Sequence, residues 1–375
     1  MPEAGPTGDA MTADHIATIP HSRPLLGAEE AAAAADVLRS GQLSQGPRVA
    51  ALEAATAVAV DAAPSTEHAA THAVAVSSGT AALYVALKAL GVAGGDEVLI
   101  PAFACASLHQ AVVHARATPR FIDCDPHSLN PDADDARRKL SSRTTACIVP
   151  HLFGLPADIA AFSALDVPVV EDCAQTLGVS VGDRRVGSFG VLTVCSFYAT
   201  KLVAGGEGGM VLSRDRRLTD AARSLRDCEQ SDAAEAAFNF KMSDLHAAIA
   251  QVQLHRLDDI LRRRRLLAGA YREALEDAGV DLPVEPTAGG HAWFRFVVGL
   301  RATDIGSLID RCDRRGLSCR RPVGRLAPGV DLDALPGCRS AWEESCSLPL
   351  YPALSDIEAR QVPERFKAAL GGADD

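Results

Sequence analysis

From residue 73 to residue 172 the chain repeats one texture: a short apolar run, a turn, a helix-prone segment, then another short apolar run. The runs are AVAV (73–76), VLIP (98–101), PRFID (119–123), ACIVP (146–150) and VPVVED (167–172), and helices are expected over 80–90, 107–115 and 132–140. Strand, helix, strand at this spacing builds a mostly parallel sheet, because parallel neighbours need a crossover long enough to hold a helix, and such helices cover both faces. The same constraint says where chemistry goes, since open α/β sheets bind ligands beyond the carboxyl ends of their strands. Residues that close the apolar runs therefore carry the most weight.

Outside this region the texture changes. Residues 27–39, with Gly41 as a stop, and 48–60 read as helices. Ser243 is a good N-cap for a long helix running to residue 275, and a helix of that length often joins two domains, so the boundary is set near 250. Beyond it HAWFRFVVGL reads as a strand, 303–316 as a helix stopped by Gly316, and 355–370 as a helix interrupted by Pro363. The expected layout is a disordered leader (1–18), a large domain (19–250) and a small α+β domain (251–375). The leader is acidic and polar and lacks the order of a signal peptide.

Hydrophobic residues make up 47% of the chain, enough for a sizeable core, yet no apolar run is long enough to span a bilayer. Net charge is −11, and the one conspicuous basic run, 262–265, follows two aspartates inside a helix, which reads as a solvated face. Nucleic acid and membrane are therefore not expected as partners. The ten cysteines are scattered, with no CxxC pair and with Cys147 and Cys195 in apolar runs, so buried thiols in a reducing cytoplasm fit better than disulfides or a metal site.

Two run ends carry complementary charge. One run delivers Asp172 at its carboxyl end; the next, 191–197, leads into SFYATK, ending at Lys201, and the glycine-rich GGEGG. Either residue alone also suits a turn acid or a surface lysine. Together they meet the needs of pyridoxal 5′-phosphate, whose aldehyde is held by a lysine and whose ring nitrogen needs a carboxylate. Between AVAV and the next helix lies Ser77-Ser78-Gly79-Thr80, where glycine admits an anion to the backbone and the helix start favours negative charge. Ser78, Gly79 and Thr80 are thus candidate phosphate ligands.

The segments EDCAQ, SFYATK and GEGGM, together with SSGTAAL, GDEVLIPAF, PHLFGLPAD and FNFKMSDLHAAIAQVQLHRLD, occur in an order that resembles the DegT/DnrJ/StrS family of pyridoxal-phosphate-dependent sugar aminotransferases, across roughly residues 19–275. The resemblance implies the aspartate-aminotransferase-like fold type I, a large domain with a mostly parallel central sheet and a small C-terminal domain. It implies Lys201 and Asp172 as the catalytic pair and Ser196 as a hydroxyl donor to the phosphate. Gln175 would stand beside the cofactor's phenolic oxygen, with Ala174 against its ring. Asn239 would reach the phosphate of a partner subunit, which makes the working unit at least a homodimer. Glu207 would shape a loop or face substrate, and His151 would be structural. The reaction implied is amino transfer from an amino acid, L-glutamate first, to the ketone of a nucleotide-linked sugar.

Two positions depart from the family pattern. Cys105 stands where an aromatic residue commonly stacks on the cofactor, with Phe103 able to compensate if strand alternation carries that far. Gly324 and Arg325 stand where a histidine often follows a proline, and Arg320, Arg321 and Arg325 are placed to meet an anionic substrate. A cyclitol or non-sugar ketone is therefore an alternative acceptor. A sugar dehydratase of the same family carries histidine at the position of Lys201, and a non-catalytic scaffold would not need the site chemistry intact.

Overall fold

The structure is a computed structural model that describes residues 17–61, 71–229, 238–286 and 290–371. The expected leader thus lies almost wholly outside the described residues. Two helices open the chain, α1 (Ala28–Ser40) and α2 (Pro47–Val60). Strand–helix alternation follows: β1 (His72–Val76), α3 (Gly79–Ala89), β2 (Glu97–Pro101), α4 (Ala106–His114), β3 (Thr118–Ile122), α5 (Ala133–Arg138), β4 (Thr144–Pro150), α6 (Ile159–Ser163) and β5 (Val169–Asp172). A small hairpin, β6 (Ser180–Val181) and β7 (Arg184–Arg185), precedes β8 (Leu192–Ser196), β9 (Gly209–Ser213) and α7 (Arg216–Arg226).

Seven strands form one sheet in the order β1-β9-β8-β5-β4-β2-β3, in which β9 alone runs antiparallel to its neighbours. Buried on both faces, β2 and β5 present no solvated side, which is why residues 98–101 and 169–170 read as apolar stretches rather than alternating ones, with Glu97, Glu171 and Asp172 at the strand ends. The carboxyl ends of β1, β4, β5 and β8 open toward one edge of the sheet.

The remainder comprises α8 (Asp244–His255), α9 (Leu257–Leu275), β10 (Phe296–Gly299), α10 (Ile305–Arg314), α11 (Pro336–Glu344), β11 (Ser345–Leu348) and α12 (Asp356–Leu370). β10 and β11 pair antiparallel. Leu267, Tyr271 and Leu275 of α9 join Phe296, Leu308, Val362 and Phe366 in a second core, while Leu257 and Leu261 belong to the core beneath the main sheet.

Four expectations are corrected. The helix expected over 243–275 is two helices that break at Arg256, whose guanidinium pairs with buried Glu30 on α1. α8 lies along α1 and α2 whereas the later turns of α9 enter the C-terminal core, and the break lets each half face its own partner. The last helix is not interrupted at Pro363: burial of Val362, Phe366 and Ala369 outweighs the roughly 3 kcal/mol that an interior proline costs. Only the second half of HAWFRFVVGL is strand, because Trp293 takes a left-handed φ of 49° and the chain turns there. The basic run 262–265 is not wholly solvated, since helical spacing puts Arg264 on the inner face with Leu257, Ile260 and Leu267. Its guanidinium donates to the carbonyls of Trp293, Phe294 and Leu350. Among the described residues no helix is long and apolar enough to cross a membrane.

Candidate active site

At the carboxyl edge of the sheet lies a cleft of about 560 Å³. It gathers Ser78, Gly79, Thr80, Cys105, Asp172, Ala174, Gln175, Ser196 and Lys201, which is every candidate cofactor residue except Asn239.

One end of the cleft is built to accept an anion. Ser78 is the N-cap of α3, and its hydroxyl is occupied by the backbone N–H of Ala81. The N–H groups of Gly79 and Thr80, in the first turn, have no partner within the helix. Gly79 must be glycine for a packing reason: a Cβ there would stand 2.8 Å from Cβ and 3.0 Å from Oγ of Ser196. Its absence brings the start of α3 against the end of β8. A second helix, α4, begins beside the first, and the Thr80 hydroxyl bonds to that of Ser107 at 3.0 Å. Two helix N-termini and the Ser196 hydroxyl thus converge on one spot, where their dipoles favour negative charge.

Asp172 and Lys201 occupy the middle. β5 and β8 are hydrogen-bonded neighbours, with Asp172 paired to Val194, so the acid ends one strand beside the strand that leads into the lysine loop. That loop is closed by Lys201 N donating to the Tyr198 carbonyl, Gly205 N to Phe197 and Phe197 N to Gly208. Among the described residues the Asp172 carboxylate accepts one hydrogen bond, from Ala174 N at 3.0 Å. Burial pushes the Asp172 carboxyl up, against the Ala174 bond and the charge of Lys201. Burial likewise pushes the Lys201 amine down, against the pull of Asp172, with Arg295 adding to the depression. Both members of the pair are thereby driven toward their neutral forms, which for an amine is the nucleophilic form.

The third wall comes from the C-terminal half. Gly154 has a φ of +100°, and a Cβ there would lie 2.6 Å from Phe294 N and 2.7 Å from Trp293 N. Only a glycine lets residues 292–295 lie against the end of β4, where Ala292 N donates to Gly154 O and Arg295 N to Phe153 O. This contact delivers Phe294 and Arg295 into the cleft. Lys201 Nζ stands 5.1 Å from the Phe294 ring centroid.

Several expectations meet a different arrangement. Phe103 does not share the cleft with Cys105: β2 ends at Pro101, so strand alternation stops short of both, and Phe103 is buried against Phe153 at 6.2 Å. It is Phe153 that lines the cleft. Of the three arginines, Arg325 alone lines it, together with Gly324; Arg320 pairs with Asp313, and Arg321 donates to the Trp342 carbonyl. Gln175 Oε1 accepts from Phe153 N at 2.7 Å, which leaves its amide nitrogen for other partners. Glu207 lines the cleft. His151 is buried, with one ring nitrogen on Glu171 at 2.9 Å and the other accepting from Ala157 N. Asn239 is exposed and lies outside the cleft of its own chain. Phe153, Phe294 and Arg295 were not singled out in the sequence; an arginine set inside the aromatic run HAWFRF is the one trace they leave.

A model of the DegT/DnrJ/EryC1/StrS aminotransferase family matches residues 24–367. The spore coat polysaccharide biosynthesis protein SpsC of Bacillus subtilis is 34% identical over 390 aligned positions, covering 95% of this chain and 98% of SpsC. The crystal structure of the aminotransferase TlmJ from Streptoalloteichus hindustanus is 34% identical with a TM-score of 0.85, over 94% of this chain and 99% of TlmJ. DesV from S. venezuelae, solved in complex with a ketimine intermediate, is 29% identical with a TM-score of 0.82, over 92% and 95% of the two chains. With the family match spanning nearly the whole chain and the cleft intact, the protein belongs to the DegT/DnrJ/EryC1/StrS family and is an aminotransferase.

Proposed function

We propose that this aminotransferase uses pyridoxal 5′-phosphate to move an amino group from an amino acid, with L-glutamate first among donors, to the ketone of a nucleotide-linked sugar. The observation that carries this reading is the joining, in one cleft, of a buried acid and a buried amine from neighbouring strand ends with an anion seat made by two helix starts. That donor set suits a cofactor with a ring nitrogen, an aldehyde and a phosphate. When bound, pyridoxal phosphate supplies an electron sink for the pair left behind as a Cα proton departs, and it carries the amino group between substrates.

The chain's own residues supply the rest. The Gly79 and Thr80 N–H groups, Ser78 and the Ser196 hydroxyl receive the phosphate. Asp172 holds the proton on the ring nitrogen, while Ala174, Gln175 and Cys105 border the ring. Lys201 Nζ takes the proton from the donor's Cα and returns it on the other side of the exchange. Lys201 also speaks against the dehydratase reading. Exposed Gly324 and Arg325 line the cleft, and the Arg325 cation there suits the diphosphate of a nucleotide-linked sugar, which a bare cyclitol lacks.

The reading includes a homodimer in the cytoplasm. A groove of about 730 Å³ lined by Tyr84, Phe238 and Phe240 adjoins Ser78 and Thr80, and exposed Asn239 sits between the two phenylalanines in sequence. An aromatic surface of this kind beside the anion seat suits a second copy, whose Asn239 would complete the phosphate site. The division near residue 250 remains our proposal for the domain boundary.

Purified protein mixed with pyridoxal phosphate and then L-glutamate tests the function. A cofactor absorption band that converts on adding glutamate, with 2-oxoglutarate released, and that reverts on adding a keto-sugar nucleotide with an aminated product by mass spectrometry, is the expected result. A spectrum inert to every amino acid would defeat it.

A further inference from the structure

The two arginines buried deepest among the described residues have acceptors of their own. Arg226 meets the Glu53 carboxylate at 2.9 Å and the Ala75 carbonyl, and Arg264 donates to three backbone carbonyls. Arg295 differs. Its guanidinium is held over the Phe294 ring, 5.5 Å from the centroid, and its one side-chain hydrogen-bonding neighbour among the described residues is the His21 imidazole, at 3.1 and 3.2 Å. Among the described residues no carboxylate pairs with it. His21 is no rival cation, because burial first, then Arg295 and Arg320, push it down to about 3. A partly buried, always charged fork with a neutral partner and an open cleft in front of it is an incomplete ion pair.

We infer that Arg295 seats the α-carboxylate of the amino donor. The inference rests on the proposed role of Lys201 as the group that meets the donor's Cα. A carboxylate is one bond from that carbon, so its anchor must share the wall with Lys201. Arg295 does: Lys201 and Arg295 line the same cleft, and Lys201 Nζ and Arg295 Cζ lie 5.1 and 5.5 Å from the centroid of the same Phe294 ring. The remaining arginines are placed otherwise, with Arg320 paired to Asp313, Arg321 turned onto Trp342, and exposed Arg325 at the mouth. A diphosphate on the acceptor stands many bonds from its ketone and belongs at that mouth, not beside Lys201. Arg295 therefore discriminates between the two substrates that take turns in one cleft: the donor carries the anion that completes the pair, and the acceptor does not. His21, tied to Ser347 at 3.0 Å, fixes the guanidinium from behind.

The test measures binding without turnover. Cofactor-loaded protein is titrated calorimetrically with 2-methyl-L-glutamate, which has no Cα proton to lose, and with 4-amino-4-methylpentanoate, which also has no proton on its amine-bearing carbon and keeps the distal carboxylate but lacks the α-carboxylate. Arg295→Gln is expected to weaken 2-methyl-L-glutamate by about 100-fold while moving 4-amino-4-methylpentanoate by less than about threefold, and Arg295→Lys is expected to recover part of the loss. Cofactor uptake and the thermal midpoint should stay near those of the parent. A loss below about threefold for 2-methyl-L-glutamate, or an equal loss for both ligands, overturns the assignment, the second outcome marking Arg295 as a packing residue. If the parent takes up pyridoxal phosphate but binds no amino acid, the Arg295 assignment fails while the cofactor reading stands. If the parent takes up no pyridoxal phosphate, the reading of the whole cleft fails and Arg295 with it.

Discussion

Glu171 and Asp172 are consecutive residues of β5, and their side chains leave the sheet on opposite faces. On one face Glu171 is fully enclosed and fully used: it meets His151 at 2.9 Å and accepts from the N–H groups of Gly187, Phe189 and Gly190. Burial raises its pKa, but these bonds outweigh burial and hold the carboxyl below its usual range. On the other face Asp172 accepts, among the described residues, a single hydrogen bond, from Ala174, and there burial prevails and the carboxyl is pushed up. Same strand, same charge, adjacent position: the difference is the number of donors the fold has supplied. A carboxylate whose bonds are complete holds the structure together, and one whose bonds are left open awaits a ligand.

Changes on the open face should erase chemistry and spare the fold, and changes on the closed face should do the reverse. The largest effect is expected for Lys201→Ala, with steady-state turnover falling by at least about 10⁴-fold while the circular dichroism spectrum is preserved. Asp172→Asn should lower turnover by about 10³-fold yet leave urea unfolding of the cofactor-free protein equal or improved, since a poorly bonded buried charge is removed. An Asp172→Asn protein that unfolds much more easily would erase the distinction between the faces. Glu171→Gln is expected to destabilise by about 3 kcal/mol in the same assay, because one of the converging donors would then face an amide N–H. Gly79→Ala should cost about 1–3 kcal/mol in cofactor affinity, read by titration, as the new methyl forces Ser196 away from the helix start.

The smallest expected effect is in pH dependence, and it has opposite signs for the two acids. Glu171 is depressed in the folded state, so its contribution is complete above the ordinary carboxyl pKa and is lost as pH falls through the folded value. Asp172 is raised, so the folded state binds more protons between the ordinary value and the folded one, and stability declines as pH rises through that window. Unfolding free energies of Glu171→Gln and Asp172→Asn, measured against pH without cofactor, should deviate from the parent in opposite directions. Deviations of one sign would break the comparison.

Much of the cleft was legible because its residues close apolar runs. Asp172, Lys201, Ser196 and Ser78 to Thr80 stand at strand ends, and strand ends in a parallel sheet share an edge. The resemblance to a known family supplied Gln175 and Ala174, which line the cleft, and Asn239, whose proposed role needs a second subunit. Phe103 was misplaced because alternation was carried past the end of a strand. Arg264 was misjudged because a run of like charges hides which of its members faces inward. Pro363 was overread, since local propensity yields to the burial around it.

The order of apolar runs and the residues that close them determined the parallel sheet, its ligand edge and the acid–amine pair, because strand period and crossover length are local properties of the chain. Tertiary structure alone decided that Arg295 lines the cleft with His21 as its side-chain hydrogen-bonding neighbour among the described residues. Those two residues lie 274 positions apart, and they meet because Gly154 lets a distant loop lie against the end of β4. Whether a charge is satisfied depends on neighbours brought together by folding, and no local pattern in the chain encodes which donors or acceptors will be missing.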